Sequence, residues 1–260
     1  MLSVHNFQFG LATPALAYVM SCLGAFLGLR SAARARLHTG RARTGWLGIA
    51  AVSIGALGIW VMHFIAMLGF AIPGEDIRYN IPLTILSMLI AVVVVFAGLA
   101  ISSYGRRRRV RLALAGTVTG LGVAGMHYTG MAAMSMPGRM SYDPALFVLS
   151  GVIAIVAATA ALWAAHALRG AAAALAATPI MAAAVSGMHY TGMAAMRIWP
   201  PSPGASMSPG GATAWGFLLP LIVGISAVAF VLAATVAMSP NEDEIREDAM
   251  LRARTSYLGS

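Results

Sequence analysis

Gly125-Met126-His127-Tyr128-Thr129-Gly130-Met131-Ala132-Ala133-Met134 occurs again, letter for letter, from Gly187 to Met196, and a looser copy, Val61-Met62-His63-Phe64-Ile65-Ala66-Met67, precedes both. The histidines lie 64 and 62 residues apart, so the chain reads as three copies of one unit. Each copy sets a histidine and several methionines in an otherwise apolar segment. An ionisable or ligating ring at membrane depth needs a partner, which makes these segments the place to look for function.

Around these segments, 59% hydrophobic residues, 10% charged residues and a mean hydropathy of +0.80 over 260 residues exclude a soluble domain and imply an all-α, polytopic membrane bundle. The net charge of +9 comes with 17 basic residues, all arginine, clustered between apolar runs. That pattern suits topology and lipid headgroups and argues against a nucleic-acid partner. Cys22 is the only cysteine, so an intrachain disulfide is excluded. No Lys or Arg occurs in residues 1–10, so the first apolar run reads as a retained span and not a cleaved signal peptide.

A span needs about 20 apolar residues, which predicts seven helices near 11–29, 45–71, 81–103, 112–135, 145–168, 171–196 and 214–238. Pro73-Gly74, Pro137-Gly138 and Pro200-Pro201 stop the even-numbered ones. Arg30, Arg34, Arg36, Arg41 and Arg43 flank the first connection. Arg106, Arg107, Arg108, Arg109 and Arg111 fill the third, Arg169 marks the fifth, and Arg246, Arg252 and Arg254 lie in the tail. Only Arg78, Arg139 and Arg197 fall on the other side, and this bias of fourteen to three predicts an exterior N-terminus and a cytoplasmic C-terminus in a bacterial inner membrane. Residues 1–240 then form one membrane domain, and 241–260 a short charged cytoplasmic tail too small to be an output domain.

With that orientation the second, fourth and sixth helices run outward, and each histidine sits roughly 10 Å below its helix's outer end. The repeats are helical hairpins inserted in the same direction, with the seventh helix outside them. Residues at i, i+4 and i+7 share a helix face. His127 therefore aligns with Met131 and Met134, His189 with Met193 and Met196, and His63 with Met67, where i+7 is Phe70. Met62, Met126 and Met188 precede the histidines.

Imidazole and thioether together suit copper, above all Cu(I). Eleven of the 17 methionines fall in the outer half or its loops: Met62, Met67, Met126, Met131, Met134, Met136, Met140, Met188, Met193, Met196 and Met207. The competing reading is packing, since methionine fills gaps in cores and Gly125, Gly130, Gly187 and Gly192 let helices approach closely. Tyr128 and Tyr190 either pack and anchor at the interface or hydrogen-bond a ligand or a metal-bound histidine. His166 reads as interfacial, and His5 and His38 as solvated. No acid or arginine falls well inside the expected spans, which disfavours an ion-coupled transporter. A nucleophilic triad is missing, so no enzyme is expected.

The Met-His-Tyr signature, in three copies on alternate helices, resembles the MHYT domain of bacterial membrane signalling proteins over nearly the whole chain. The resemblance implies a sensor of a diatomic gas (oxygen, carbon monoxide or nitric oxide) or of redox state. Detection would run through a metal, copper, held by Met62 and His63, by Met126, His127 and Tyr128, and by Met188, His189 and Tyr190. Phe64 departs from the family's tyrosine, so the first copy has no phenol. Many relatives carry a cyclase, phosphodiesterase, kinase or DNA-binding domain after the membrane part, which implies either a separate cytoplasmic signalling partner or an output module outside this sequence. Two alternatives stand beside the copper sensor. One is haem held by two of the histidines. The other is a copper carrier or channel, for which the inner halves of the fourth and sixth helices supply few thioethers beyond Met181.

Overall fold

In a computed structural model, described for His5 and residues 7–103, 108–136, 138–200, 210–238 and 250–251, the chain is a bundle of seven long helices. They are α1 Ala12–Leu37, α2 Gly40–Leu68, α3 Ile81–Ser103, α4 Arg108–Ala132, α5 Pro144–Ala167, α6 Gly170–Ala195 and α7 Ala214–Met238. All but α4 are long and apolar enough to cross a membrane. The composition of α4 is diluted by glycine, and the reason is proximity: side chains at Gly116, Gly120 and Gly122 would collide with Thr159 and Ile155 of α5 and Val94 of α3. Large apolar side chains such as Leu86, Leu89 and Val93 on α3, or Val148, Val152 and Val156 on α5, remain exposed on the outside of the bundle. On a membrane helix these are the lipid-facing positions. The protein is a multi-pass membrane protein.

The centre of the bundle is α2, whose most apolar window is 83% buried against at most 39% for the other spans. Glycine makes this possible. A Cβ at Gly55 would lie 2.8 Å from the carbonyl oxygen of Ala91 on α3, and one at Gly24 of α1 would meet the backbone of Gly58. Between Val52 and Val61 the helix widens to π-type hydrogen bonding. A π turn takes up extra residues and so rotates the helix beyond it, and this one stops two residues before His63.

The helix ends differ from the sequence expectation where side chains reach across the bundle. Arg34 and Arg36 lie on α1, which continues to Leu37 instead of stopping near 29, and the turn to α2 is only His38 and Thr39. Arg34 is buried and donates to the carbonyl of Val236 on α7; Arg36 donates to those of Ala165 and, at 3.0 Å, Leu168 at the end of α5. Arg43 on α2 donates to Ser103, the last residue of α3, at 3.0 Å. Terminal carbonyls lack intrahelical donors and carry the negative end of the helix dipole. The expected end of the first span near 29 is therefore corrected to Leu37: Arg34 and Arg36 fall in the last turn of α1, where the ends of α7 and α5 accept from them. Smaller shifts affect α4, which spans 108–132 and not 112–135, and α6, which accommodates Pro179 internally.

At the opposite end the connections form short strands: β1 Arg78–Tyr79, β2 Met134–Ser135, β3 Arg139–Tyr142, β4 Met196–Trp199 and β5 Ala212–Thr213. They pair antiparallel in the orders β2-β1-β5 and β3-β4. The amide of Asn80 bonds the carbonyl of Ala133 at 2.8 Å, and that of Asp143 bonds Ala195 at 2.8 Å, so the start of α3 is tied to the end of α4 and the start of α5 to the end of α6. Asn80, Asp143 and Thr213 cap α3, α5 and α7 through side-chain oxygens. Met134 and Met196 fall on these strands. The helical i+7 relation to the histidines consequently fails for both, and for Phe70, which lies beyond the end of α2. Arg106, Arg107, Pro137, Pro201, Met207, Arg246, Arg252 and Arg254, and most of the expected tail, lie outside the described residues.

Candidate metal centre

His63 on α2, His127 on α4 and His189 on α6 meet inside the bundle at one level, five or six residues before their helices end at the strands. Each is at most 1% exposed. The Nδ1 atom of His63 lies 2.9 Å from Nδ1 of His189 and 3.1 Å from Nδ1 of His127. The rings stand nearly at right angles, with interplanar angles of 80°, 81° and 90° and centroids 4.9 to 5.2 Å apart.

A neutral imidazole offers one N–H and one bare nitrogen. At Nδ1 of His63, a single proton or a single lone pair can serve only one of the two short contacts well. Moving the proton to the other nitrogen gives no relief, because Nε2 of His63 and of His127 is buried without a hydrogen-bond partner. A cation shared by the three Nδ1 lone pairs relieves the crowding at Nδ1, with the protons then carried on Nε2. The donor set therefore fits a metal ion, and among the described residues these three histidines are the group of His, Cys, Asp or Glu side chains that could hold one.

The motif's glycines seat the rings. A Cβ at Gly130 would lie 2.6 Å from Nε2 of His63, and one at Gly192 would collide with Nε2 of His127, whereas Gly125 and Gly187 have open space. Thus the glycine three residues after the histidine in one copy receives the histidine of the preceding copy. Read in the sequence as helix-packing residues, Gly130 and Gly192 are specific to the imidazoles, and only the fold distinguishes them from Gly125 and Gly187.

Met62, Met67, Met126, Met131, Met188, Met193, Met134, Met136 and Met196 are all buried in the same core. Each histidine ring meets edge-on the aromatic that comes after it: Phe64 at 4.7 Å, Tyr128 at 4.9 Å and Tyr190 at 4.9 Å. The Tyr128 hydroxyl pairs with Ser150 Oγ on α5 at 2.7 Å, and Ser150 in turn donates to Phe147. The Tyr190 hydroxyl is buried without a partner. The remaining histidines are apart from the cluster. His5 is exposed and bridges to Ala71, His38 Nδ1 contacts the carbonyl of Arg34, and His166 contacts Leu162 and Ser103 at the arginine end.

The family described as a bacterial signalling protein N-terminal repeat, MHYT, matches residues 57–115 and 120–178 in tandem. The chain belongs to the MHYT family. The two matched segments open just before His63 and His127, so the degenerate first copy is a repeat in its own right, and His189 lies after the second segment. The chain is 35% identical over 251 residues to the bifunctional diguanylate cyclase/cyclic di-GMP phosphodiesterase MucR of Pseudomonas aeruginosa, covering 95% of this chain and 35% of the relative. It is 38% identical over 205 residues to the cyclic di-GMP phosphodiesterase NbdA of the same organism, covering 76% and 26%. An uncharacterised signalling protein of Caulobacter vibrioides is 32% identical over 200 residues, covering 77% and 24%. The chain thus spans about a third or less of the length of these curated relatives. No solved structure matches.

Proposed function

We propose that the protein is the sensing part of a membrane signalling system, and that His63, His127 and His189 together hold one copper ion against which a diatomic gas or the redox state is read. The observation that supports this reading is the convergence of three buried imidazoles, with two short Nδ1 contacts crowded on His63 and with Nε2 of His63 and His127 lacking a hydrogen-bond partner. Charge favours Cu(I). The acids of the chain lie at 75, 76, 143 and from 242 to 248, and none falls within the seven helices, so an ion at the centre has no carboxylate to offset it. An uncompensated single charge is less costly to bury than a double one, and the buried methionines of the motif offer thioethers of the kind that suit the softer ion. Bound there, Cu(I) would supply a three-nitrogen centre with a coordination position left for a small ligand. Haem finds less support, since Nδ1 atoms about 3 Å apart leave no space for a macrocycle between the rings.

The arginine bias supports placing the motif end outside and α7's end inside. A change at the centre would then reach the cytoplasm through the packing of α2, α4 and α6 and through Arg34, which joins α1 to the last turn of α7. The named activities of MucR and NbdA suggest cyclic di-GMP turnover as the output, delivered by a further domain or a partner. Metal analysis of protein purified with copper and iron both available and without chelators tests the reading. One copper per chain is expected; stoichiometric iron with an intense Soret band, or neither metal, would overturn it.

A further inference from the structure

On the side of the histidines away from the strands, the bundle holds a partly open cavity of about 60 Å³ walled by α1 to α6. Val123 and Val185 line it, each four residues before a histidine, and Ile59 takes the same place before His63. Residues four apart stack on one helix face. A collar of three branched aliphatic side chains, one from each copy, therefore stands between the cavity and the imidazoles. Beyond the collar the walls carry small residues, Ala25, Gly58, Ala154 and Ala158 among them, so no side chain fills the space.

The chemistry of the lining selects the occupant. A buried water needs two to four polar partners and only about 10 to 15 Å³ of such volume. Here the polar side chains are Ser21 and Thr119, and the Thr119 hydroxyl is already engaged with the carbonyl of Val94 at 3.2 Å. The space is larger than a water requires and poor in partners, and it lies within the apolar depth of the bundle. Apolar cavities of this kind stay dry and take up apolar atoms or molecules. The histidines themselves are closed to the aqueous face, being at most 1% exposed.

We infer that this cavity is a holding site for a small apolar molecule of the diatomic-gas class, which passes from the membrane interior through the Ile59–Val123–Val185 collar to the histidine centre. Occupancy of the cavity stands on its own lining; the passage to a metal rests on the proposed function. Xenon is the probe for occupancy, because it binds apolar cavities without any metal. In metal-free protein in lipid nanodiscs, 129Xe NMR should show saturable uptake that Ala158→Leu abolishes and Val123→Ala, which enlarges the space, increases. Absent uptake in the wild-type protein, or equal uptake in all three, would overturn the cavity site. Copper analysis of the same protein purified with copper available and without chelators keeps the two readings apart, since xenon uptake by a protein that takes up no copper would sustain the cavity while ending the metal centre. In Cu(I)-loaded protein, Ala158→Leu should slow carbon monoxide association about tenfold at unchanged copper content, and an unchanged rate would overturn the passage.

Discussion

The two ends of the bundle treat buried polar groups in opposite ways. At the arginine end, Arg34, Arg36 and Arg43 donate to the terminal carbonyls of α7, α5 and α3, acceptors that helix geometry leaves without intrahelical donors. At the motif end, three imidazoles are brought within hydrogen-bonding distance in an arrangement their own protons cannot satisfy. A protein that pairs the Tyr128 hydroxyl with a serine has the means to partner a buried histidine in the same way. The difference separates an end where side chains tie helices together from an end where three imidazoles crowd one another, the arrangement on which the proposed metal centre rests.

Substitutions at the motif end should have the largest effect. His127→Ala or His189→Ala is expected to weaken copper binding by at least about 100-fold, since even groups that only support a ligand are worth 10- to 100-fold. His38→Ala, at the other end, should leave it unchanged in the same equilibrium dialysis. Arg34→Gln should do the reverse. Losing a buried charge-assisted bond to Val236 is expected to lower stability by about 1.5 to 3 kcal/mol, read as a lower thermal unfolding midpoint in detergent, while copper stoichiometry stays the same.

The glycine pair carries the contrast into the motif itself. Gly192→Ala places a methyl where the His127 ring sits and should weaken copper binding about tenfold, a displacement cost of about 1.4 kcal/mol; Gly187→Ala meets nothing and should have no effect. Equal behaviour of the two would mean that the glycines serve helix packing generally. Tyr128→Phe removes the bond to Ser150 and should cost about 1 kcal/mol of stability without changing metal content. A loss of copper in that variant would show that the phenol acts on the centre and not on α5.

The smallest effect concerns Asp143, whose carboxyl is held below the usual range, first by the hydrogen bond from Arg197 at 2.7 Å and then by the amide of Leu146. A carboxylate whose pKa is lowered on folding stabilises above its unfolded value and loses that contribution as pH falls through the folded one. Exchange protection of the Ala145 and Leu146 amides should therefore persist at neutral pH and weaken only below about pH 4. In Arg197→Ala the weakening should begin at higher pH.

Much of this organisation is legible in the sequence. Uninterrupted apolar runs announce seven helices, and the 64- and 62-residue spacing puts the three histidines at one depth. The rotation of each helix is not legible, because it depends on which glycines meet which neighbours and on the π segment before His63. Met134 and Met196 illustrate the limit of a periodic argument: the spacing places them under the histidines only if the helix continues, and the helices end at Ala132 and Ala195. The arginines read as topology alone, since nothing in their sequence neighbourhood marks the distant carbonyls that Arg34 and Arg36 reach. Two-residue strands such as β1 and β2 carry too few side chains to leave a pattern.

Whether three imidazoles share one ion is tested most directly by titrating metal-free protein with Cu(I) and recording X-ray absorption at the copper edge. Saturation is expected at one copper per chain with the multiple-scattering signature of imidazole, lost in His63→Ala as fully as in His127→Ala or His189→Ala. Saturation at two or three coppers per chain, or full retention of the ion when any one of the three histidines is removed, would contradict a shared centre.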